Sequence, residues 1–275
     1  MDAISTPLGE YLRARRELVQ PTDLGLPAGG RRRVAGLRRE ELAMLAGISS
    51  DYYLRLEQGR DQNPSAQVLD AIANVLQLDA DAIVYLHELG RPRPRKRARS
   101  RADRVPEGTM LFLNALEMPA FVQSRFMDVL AANRLGQALS PNYRPGVNLL
   151  RAVFLDPSDR DLHQDWERAT EEAVAGLRAV AGSDTDDPRL TELVGELSLR
   201  SDRFRRLWAR HDVHTRTGGT SLLKHPQVGA LKLRHEKLAI AGTNGQLLIA
   251  YHADPGSDSA RSLALLGSLA ASPLD

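Results

Sequence analysis

The stretch that most restricts the fold is residues 38–60, RREELAMLAGISSDYYLRLEQGR, in which two short helical patterns are joined by Gly-Ile-Ser. Gly47 stands where the chain has to turn sharply, and glycine reaches a positive φ at little cost. Ser49 can cap the second helix through its hydroxyl. A packed first helix, a tight turn and a second helix with a polar exposed face are the parts of a helix-turn-helix. The stretch therefore predicts this motif.

Apolar residues of the two helices fall at helical spacing. Leu42, Leu45 and Ala46 are expected on the buried face of the first helix, whereas Tyr53 and Leu56 face the core from the second. The second helix would then expose five side chains, those of Ser50, Asp51, Leu54, Arg55 and Gln58. This exposed face is the candidate for contact with the major groove of double-stranded DNA.

Individual side chains of this region suit different DNA contacts. Arg55 can pair with O6 and N7 of guanine, and Asp51 can accept from N4 of cytosine or orient a neighbouring base. Arg39, Gln58 and Arg60 are placed for phosphate, where contacts position a protein and make binding salt-dependent. A helical hairpin that never meets DNA has the same short pattern. Further helices and flanking arginine groups, including residues 31–33, favour the DNA-binding interpretation.

The motif lies within an all-α, five-helix domain predicted over residues 1–90. Its helices are expected at residues 8–19, 37–46, 49–58, 65–76 and 79–90. Ser65 and Asp79 are the expected caps of the last two. Residues 91–107 form an Arg/Pro-rich linker. Either it is a semi-extended spacer, because proline breaks helices and like charges repel, or it adds phosphate or minor-groove contacts.

A different pattern predicts a second domain over residues 108–275. Strand-like runs with alternating polarity occur at residues 120–125, 127–133, 220–225, 229–240 and 246–254. Helical patterns occur at residues 159–182, 188–199, 201–211 and 258–270. Strands at both ends of a helical middle indicate an α+β domain with an antiparallel sheet. The fold class is thus multi-domain, all-α followed by α+β.

Several function classes lack their sequence signatures. The chain has no cysteine, and no apolar run approaches the roughly 20 residues that span a bilayer. No nucleophile elbow, phosphate-binding glycine loop or His-Glu-x-x-His motif occurs, and the Gly-rich residues 217–221 are expected to form a hairpin turn. His211 and His214 have no recognisable third metal ligand. We therefore expect no enzyme, no cofactor, no metal and no membrane contact.

The motifs resemble a known family. Residues 36–60 look like the helix-turn-helix of XRE-type (Cro/repressor-type) regulators, and in particular of the MmyB-like transcription regulators. Residues 63–79 resemble the helix that follows the hairpin in that family. The segments FLDPSDRDLHQDWE, LVGELSLRSDRFRRLWARHDV, HPQVGALKLRHEKL and ADPGSDSARSLALL resemble its C-terminal ligand-binding domain. The resemblance covers nearly the whole chain, with these motifs in order.

The resemblance implies a PAS-like sensor domain that holds a small hydrophobic ligand, such as a fatty acyl chain. Two positions depart from the family pattern. Ala132 stands where the family often has tryptophan, and Ser221 stands near a position that is often basic. Both departures affect the expected pocket, so the identity of the ligand does not follow from the resemblance.

Candidate ligand-binding residues come from the aromatic and polar side chains of the second domain. Aromatic side chains on helices are usually core, but a core left partly open presents them as pocket walls. Two histidines could close such a pocket, and an arginine or asparagine could meet a carboxylate or hydroxyl. The candidates are Asn133, Arg151, Phe154, Trp166, Phe204, Trp208, His211, His225 and Tyr251.

Together these features predict a bacterial, cytoplasmic regulator of transcription, at the nucleoid when bound to DNA, that responds to a small hydrophobic ligand. A palindromic operator would require a homodimer whose recognition helices lie about 34 Å apart. The alternative is an enzyme or lipid-binding protein whose C-terminal α+β domain handles the substrate or ligand, with an accessory DNA-binding module.

Overall fold

The computed structural model describes residues 6–27, 36–61, 63–91, 103–182, 187–215 and 217–271. The chain divides into two compact units. The first comprises Met1–Arg97, Ala181–Asp187 and Arg206–His214, and the second comprises Ala98–Val180, Pro188–Arg205 and Thr215–Asp275. The basic residues 31–33 and most of the Arg/Pro linker lie outside the described residues. Within the described ranges, no helix combines the length and the apolar character needed to cross a bilayer.

Residues 6–91, as far as they are described, form five α-helices of the first unit, as the sequence predicts. They are α1 (Pro7–Leu18), α2 (Arg39–Leu45), α3 (Ser50–Glu57), α4 (Ala66–Val75) and α5 (Ala80–Leu89). The expected caps are present, because Ser49, Ser65 and Asp79 accept hydrogen bonds from the backbone N–H groups of α3, α4 and α5. A short 3-10 helix, Pro21–Leu24, follows α1.

The turn between α2 and α3 has the predicted conformation, with a φ of 68° at Gly47. Tyr53 and Leu56 are fully buried beneath it, as is Leu42. The expectation for Leu45 is wrong, since 39% of it is exposed. Because α2 is only seven residues long, Leu42 and the neighbouring Ala43 supply its buried face, and Leu45 ends the helix on the solvent side.

A five-stranded antiparallel sheet forms the centre of the second unit, which confirms the α+β fold class. Its strands are β1 (Ala120–Gln123), β2 (Val129–Ala132), β3 (Gly218–His225), β4 (Gly229–Ala239) and β5 (Leu247–His252), in the spatial order β2-β1-β5-β4-β3. The described helices that accompany it are α6 (Glu107–Ala115), α7 (Arg134–Leu139), α8 (Leu149–Leu155), α9 (Pro157–Leu162), α10 (Trp166–Ala181), α11 (Pro188–Arg200) and α13 (Asp258–Ala271). Helix α12 (Asp202–Ala209) begins in this unit, but from Arg206 it belongs to the first unit.

Each face of the sheet carries an apolar cluster. One contains Phe121, Tyr143, Ile249 and Tyr251 and extends to α9 and α13. The other includes Leu113 of α6 and is smaller. In the middle of β4, buried and exposed residues alternate, as the period of two in a strand requires. The face of the sheet that carries the larger cluster also contains a cavity.

Two local predictions are wrong in this unit. Residues 217–221 do not form a hairpin turn, because Gly218 and Gly219 begin β3 and pair with β4. A Cβ on Gly218 would come within 2.6 Å of the carbonyl oxygen of His235, so the close approach of the strands requires glycine there. Residues 159–182 are also not one helix. The chain leaves α9 at His163, and Gln164 donates its backbone N–H to the carbonyl of Leu222 at 2.9 Å.

Asn133 joins the first two strands to α7. Its side-chain oxygen accepts from the backbone N–H groups of Ala120 and Gly136, at 3.1 and 2.8 Å. Its amide nitrogen donates to the carbonyls of Leu113, Leu116 and Met118. Gly136 lets α7 approach β1 closely, since a Cβ there would lie 2.6 Å from the carbonyl oxygen of Ala120. This backbone-to-backbone approach leaves no room for a side chain.

We predict that Gly136→Ala destabilises the second unit by about 1 to 3 kcal/mol, because the new methyl meets backbone that cannot move aside. Gly195→Ala in α11 is the matched control, since its added Cβ has no neighbour within 4 Å. It should be neutral or stabilise by up to about 1 kcal/mol through helix propensity. Urea unfolding of the two variants measures the difference. Equal midpoints would contradict the proposed close contact.

Candidate functional site

The exposed surface of α3 is the first candidate site. Ser50, Asp51 and Arg55 are exposed, whereas Leu54 and Gln58 are half-buried. Asp51 and Arg55, one helical turn apart, form an ion pair on this surface. The Arg55 guanidinium lies 5.6 Å from the centre of the Tyr52 ring. The first turns of α3 therefore present an oriented arginine and a carboxylate to solvent.

Behind this surface, a buried carboxylate holds three helices together. Glu57, at the end of α3, accepts from Nε of Arg16 at 2.6 Å and from Nε of Arg39, also at 2.6 Å. Arg16 belongs to α1, is buried, and donates in addition to the carbonyl of Leu37 at 2.7 Å. Burial alone lowers the pKa of Arg16, but the hydrogen bond and charge of Glu57 reverse this and raise it. One carboxylate thus accepts hydrogen bonds from two arginines.

The other predicted DNA-contacting residues lie around this network. Arg39 begins α2 and is held by Glu57 through Nε, while its side chain stays 46% exposed. Its remaining guanidinium nitrogens can therefore face a phosphate without releasing Glu57. Arg60 is exposed just beyond α3, with its backbone N–H bonded to the carbonyl of Arg55.

The second candidate site is a cavity of about 160 Å³ in the second unit. The sheet supplies one side of it through β1, β3, β4 and β5, and helices α8, α9 and α10 supply the other. Apolar walls come from residues such as Phe121, Leu149, Val153 and Ile249. A concave space with apolar walls and a few convergent polar groups is the usual form of a small-molecule site.

Polar groups meet in this cavity as three pairs. The hydroxyls of Tyr143 and Tyr251 lie 3.0 Å apart. Ser221 Oγ lies 3.2 Å from Nδ1 of His235. An oxygen of Asp159 lies 3.6 Å from Nε2 of His163, and the other oxygen accepts from Asn142 at 3.2 Å.

Burial shifts the titration of these groups toward their uncharged forms. It raises the pKa of the Asp159 carboxyl, although the adjacent His163 opposes this. It lowers the pKa values of both imidazoles, His163 and His235. It also raises the pKa values of the Tyr143 and Tyr251 phenols. The cavity is therefore a poor environment for charge.

Of the nine predicted ligand-binding residues, Tyr251 lines this cavity. Phe121, which lies near Tyr251 on the sheet, also lines it but was not predicted. Asn133 does not line it, because its amide is used in the backbone hydrogen bonds described above. Arg151 instead pairs with Glu196 at 2.7 Å. Phe154 and Phe204 contact each other edge to face, with ring centres 5.3 Å apart.

The remaining predicted residues also lie elsewhere. Trp166 donates to the carbonyl of Val153 at 2.7 Å and stacks with the guanidinium groups of Arg160 and Arg203. Trp208 and His211 belong to the first unit, where His211 lies against the Tyr11 ring.

His225 lines a separate, open groove of about 950 Å³. Its Nδ1 accepts from the backbone N–H of Gln227, and its Nε2 lies 3.0 Å from the carbonyl of Ala138. Both ring nitrogens thus bind backbone. No group of three or more His, Asp or Glu side chains in the described part of the chain is arranged to hold a metal ion.

Comparison with known families identifies the two domains that contain these sites. A model described as the MmyB-like transcription regulator ligand binding domain matches residues 105–266, more than half of the chain. The chain belongs to the MmyB-like transcription regulators. A second model, described as a helix-turn-helix domain, matches residues 7–86 of this MmyB-like protein. A search of curated proteins gives no match.

The two matches agree with the two candidate sites. The helix-turn-helix match includes α3 and the Glu57 network, and the ligand-binding match includes the whole wall of the cavity. This MmyB-like protein is therefore a ligand-sensing transcription regulator with DNA and a small molecule as partners. The families indicate a regulator rather than an enzyme.

We predict that Glu57→Ala lowers the free energy of unfolding of the first unit by about 3 to 5 kcal/mol, because Arg16 would remain buried without its counter-ion. The control is Glu40→Ala, which removes an exposed acid of α2 and should change stability by no more than about 0.5 kcal/mol. Denaturant unfolding followed by circular dichroism compares the variants. Similar losses for both would show that the buried network contributes little.

Proposed function

We propose that this regulator binds a specific operator by placing α3 in the major groove. The exposed faces of Ser50, Asp51 and Arg55 would meet base edges, with Leu54 beside them, whereas Arg39, Gln58 and Arg60 would position the backbone of the DNA. The single observation that carries this proposal is the exposed Asp51–Arg55 pair on a helix whose opposite face is anchored by buried Tyr53 and Leu56.

The second part of the proposal is that a small hydrophobic molecule binds in the cavity and changes the affinity for DNA. Such coupling requires that the ligand bind the DNA-competent and incompetent states unequally. The family resemblance suggests a fatty acyl chain as one such ligand. We further propose a cytoplasmic homodimer, since a palindromic operator matches a twofold protein with half-sites about 34 Å apart.

Selection of binding sequences from a random pool of duplex DNA tests the first part. The expected result is a palindrome whose half-sites are one helical turn apart, bound by a dimer of the full chain. Enrichment of a single half-site bound by a monomer would overturn the dimer while leaving the helix-turn-helix role intact. Failure to enrich any sequence, with only salt-sensitive general binding, would overturn specific recognition.

We predict that Arg55→Ala costs about 1 to 3 kcal/mol in binding to the selected operator and relaxes preference at one base pair. Arg55→Lys is the matched variant, because it keeps the charge but loses the planar fork that reads guanine. It should lose the base preference and keep the salt dependence. A loss that is equal for all sequences in both variants would argue against base reading by Arg55.

For Arg39→Ala we expect weaker binding to every DNA sequence alike, with the slope of log K against log salt reduced by about one. Glu57 keeps Arg16 as a partner in this variant, so the domain should stay folded, and unfolding curves provide that check. Titrations at several salt concentrations give the slope. An unchanged slope in a folded variant would refute the phosphate contact.

A further inference from the structure

The first unit includes two segments from far along the chain. They are Ala181–Asp187, which contains the last residue of α10, and Arg206–His214, which contains the second half of α12. The other residues of α10 and α12 belong to the second unit. Each of these two helices therefore begins in the second unit and ends in the first. The stretch Arg206–His214 is called the returning segment below.

The returning segment is packed against the helices of the first unit. Its Leu207 and Val213 are buried. The ring of His211 lies edge to face against Tyr11 of α1, with ring centres 6.2 Å apart, and Tyr11 meets Tyr85 of α5 at 5.2 Å. His211 has a φ of 55°, a left-handed conformation that costs a non-glycine residue free energy and persists only where the surrounding structure holds it.

An ion pair completes the contact between the returning segment and α1. Arg15 donates from a terminal guanidinium nitrogen to Asp212 at 2.7 Å, and the two side chains are only 19% and 25% exposed. Asp212 also lies 2.9 Å from Nε of Arg210. A pair that is largely buried is screened by solvent and salt less than an exposed one. Arg15 is thus held by an acid that lies within the match to the ligand-binding domain.

Arg15 and its neighbour Arg16 bind different partners. Arg16 donates to Glu57, at the end of the recognition helix α3, at 2.6 Å. Helix α1 is therefore fixed by Asp212 through one arginine and bonded to α3 through the next. Loss of the Asp212 contact would free α1, and the bond between Arg16 and Glu57 would pass that change to α3.

Within the second unit, the same two helices are connected to the cavity. Ala169 and Ala173 of α10 line it. In the first half of α12, Arg203 donates to the hydroxyl of Thr170 at 2.8 Å and to the carbonyl of Glu167 at 2.7 Å, and both acceptors belong to α10. The first half of α12 is thus bonded to a helix of the cavity wall, and its second half begins the returning segment.

We propose that the returning segment is the contact through which the C-terminal part of the chain controls the recognition helix. Docked on Tyr11 and Arg15, the segment fixes α1, and α1 fixes α3 through Arg16 and Glu57. Release of the segment loosens α3 and lowers the affinity for DNA. This inference rests on the proposed regulator function and specifies its route of control. A ligand acts on that route only by binding the docked and released states unequally.

Hydrogen exchange of the full chain, followed by mass spectrometry, tests the contact without DNA or ligand. In Asp212→Ala we expect the amides of α1 and α3 to exchange severalfold faster than in the parent chain, because α1 has lost a partner. Asp212→Asn, which keeps the shape of the side chain, should change them in the same direction by less. Arg15→Ala should match Asp212→Ala, and the double variant should add little, as expected for two members of one contact.

The matched control is Asp202→Ala. It removes an exposed acid that pairs with Arg205 in the first half of α12. Exchange in α1 and α3 should stay at the parent rate in this variant. Parent rates in Asp212→Ala as well, or equal effects of Asp202→Ala and Asp212→Ala, would overturn the inference.

DNA binding gives a second test, because the charge of Asp212 alone predicts the opposite result. Removal of an acid should strengthen binding to a polyanion, whereas the proposal expects Asp212→Ala to bind the selected operator severalfold more weakly. Coupling is reciprocal, so operator binding should slow exchange in the returning segment of the parent chain, and Arg15→Ala should lose this protection. Equal or tighter operator binding by Asp212→Ala, or no protection of the segment, would overturn control through this contact.

The outcomes separate this inference from the proposed function. If selection yields no operator, specific recognition fails, but the exchange of α3 in Asp212→Ala still decides whether the returning segment holds that helix. If the operator is bound and Asp212→Ala changes neither exchange nor affinity, the DNA-binding role stands and this route of control is overturned.

Discussion

The buried carboxylate of Glu57 is the constraint on which the DNA-binding unit depends. It ends the recognition helix, and through Arg16 and Arg39 it ties that helix to α1 and α2. A buried arginine without its carboxylate is costly, so the arrangement of the helices depends above all on the buried Arg16–Glu57 pair. The polar face of α3 is therefore held in a fixed orientation by charges on its opposite side, and Arg39 connects that interior network to the surface.

In the sensor unit, burial affects the charge of several side chains around the cavity. Its cavity is lined by ionisable side chains, yet burial moves Asp159, His163 and the two tyrosines toward their neutral forms. Hydrogen-bonded pairs, Tyr143–Tyr251 and Ser221–His235, give these polar atoms partners within the protein. Glu172 and Lys237 line the same cavity, so it combines charged side chains with these hydrogen-bonded pairs.

Much of the fold could be predicted from the sequence, but little of the ligand site. The helices of the first unit carry strong apolar periodicity and clear caps such as Ser49 and Asp79, and the strands of the second carry alternating polarity. The short helices α6, α7 and α8 lack a long periodic pattern and were not predicted. The cavity residues Asp159, Tyr143 and His235 come from a helix, a loop and a strand that are distant in sequence, and only the tertiary fold brings them together. Trp166, a conspicuous aromatic, instead packs between two arginines.

The end of α9 has a consequence for the edge of the sheet. Strand β3 is the last in the order, and its outer side is covered by the segment that follows α9, where His163 forms an isolated bridge with Leu223 and Gln164 bonds to the carbonyls of Leu222 and Leu223. Displacement of α9 would uncover these backbone groups. An uncovered edge strand is a template for pairing with another chain. The segment that follows α9 thus also shields this part of the β3 edge from pairing with another chain.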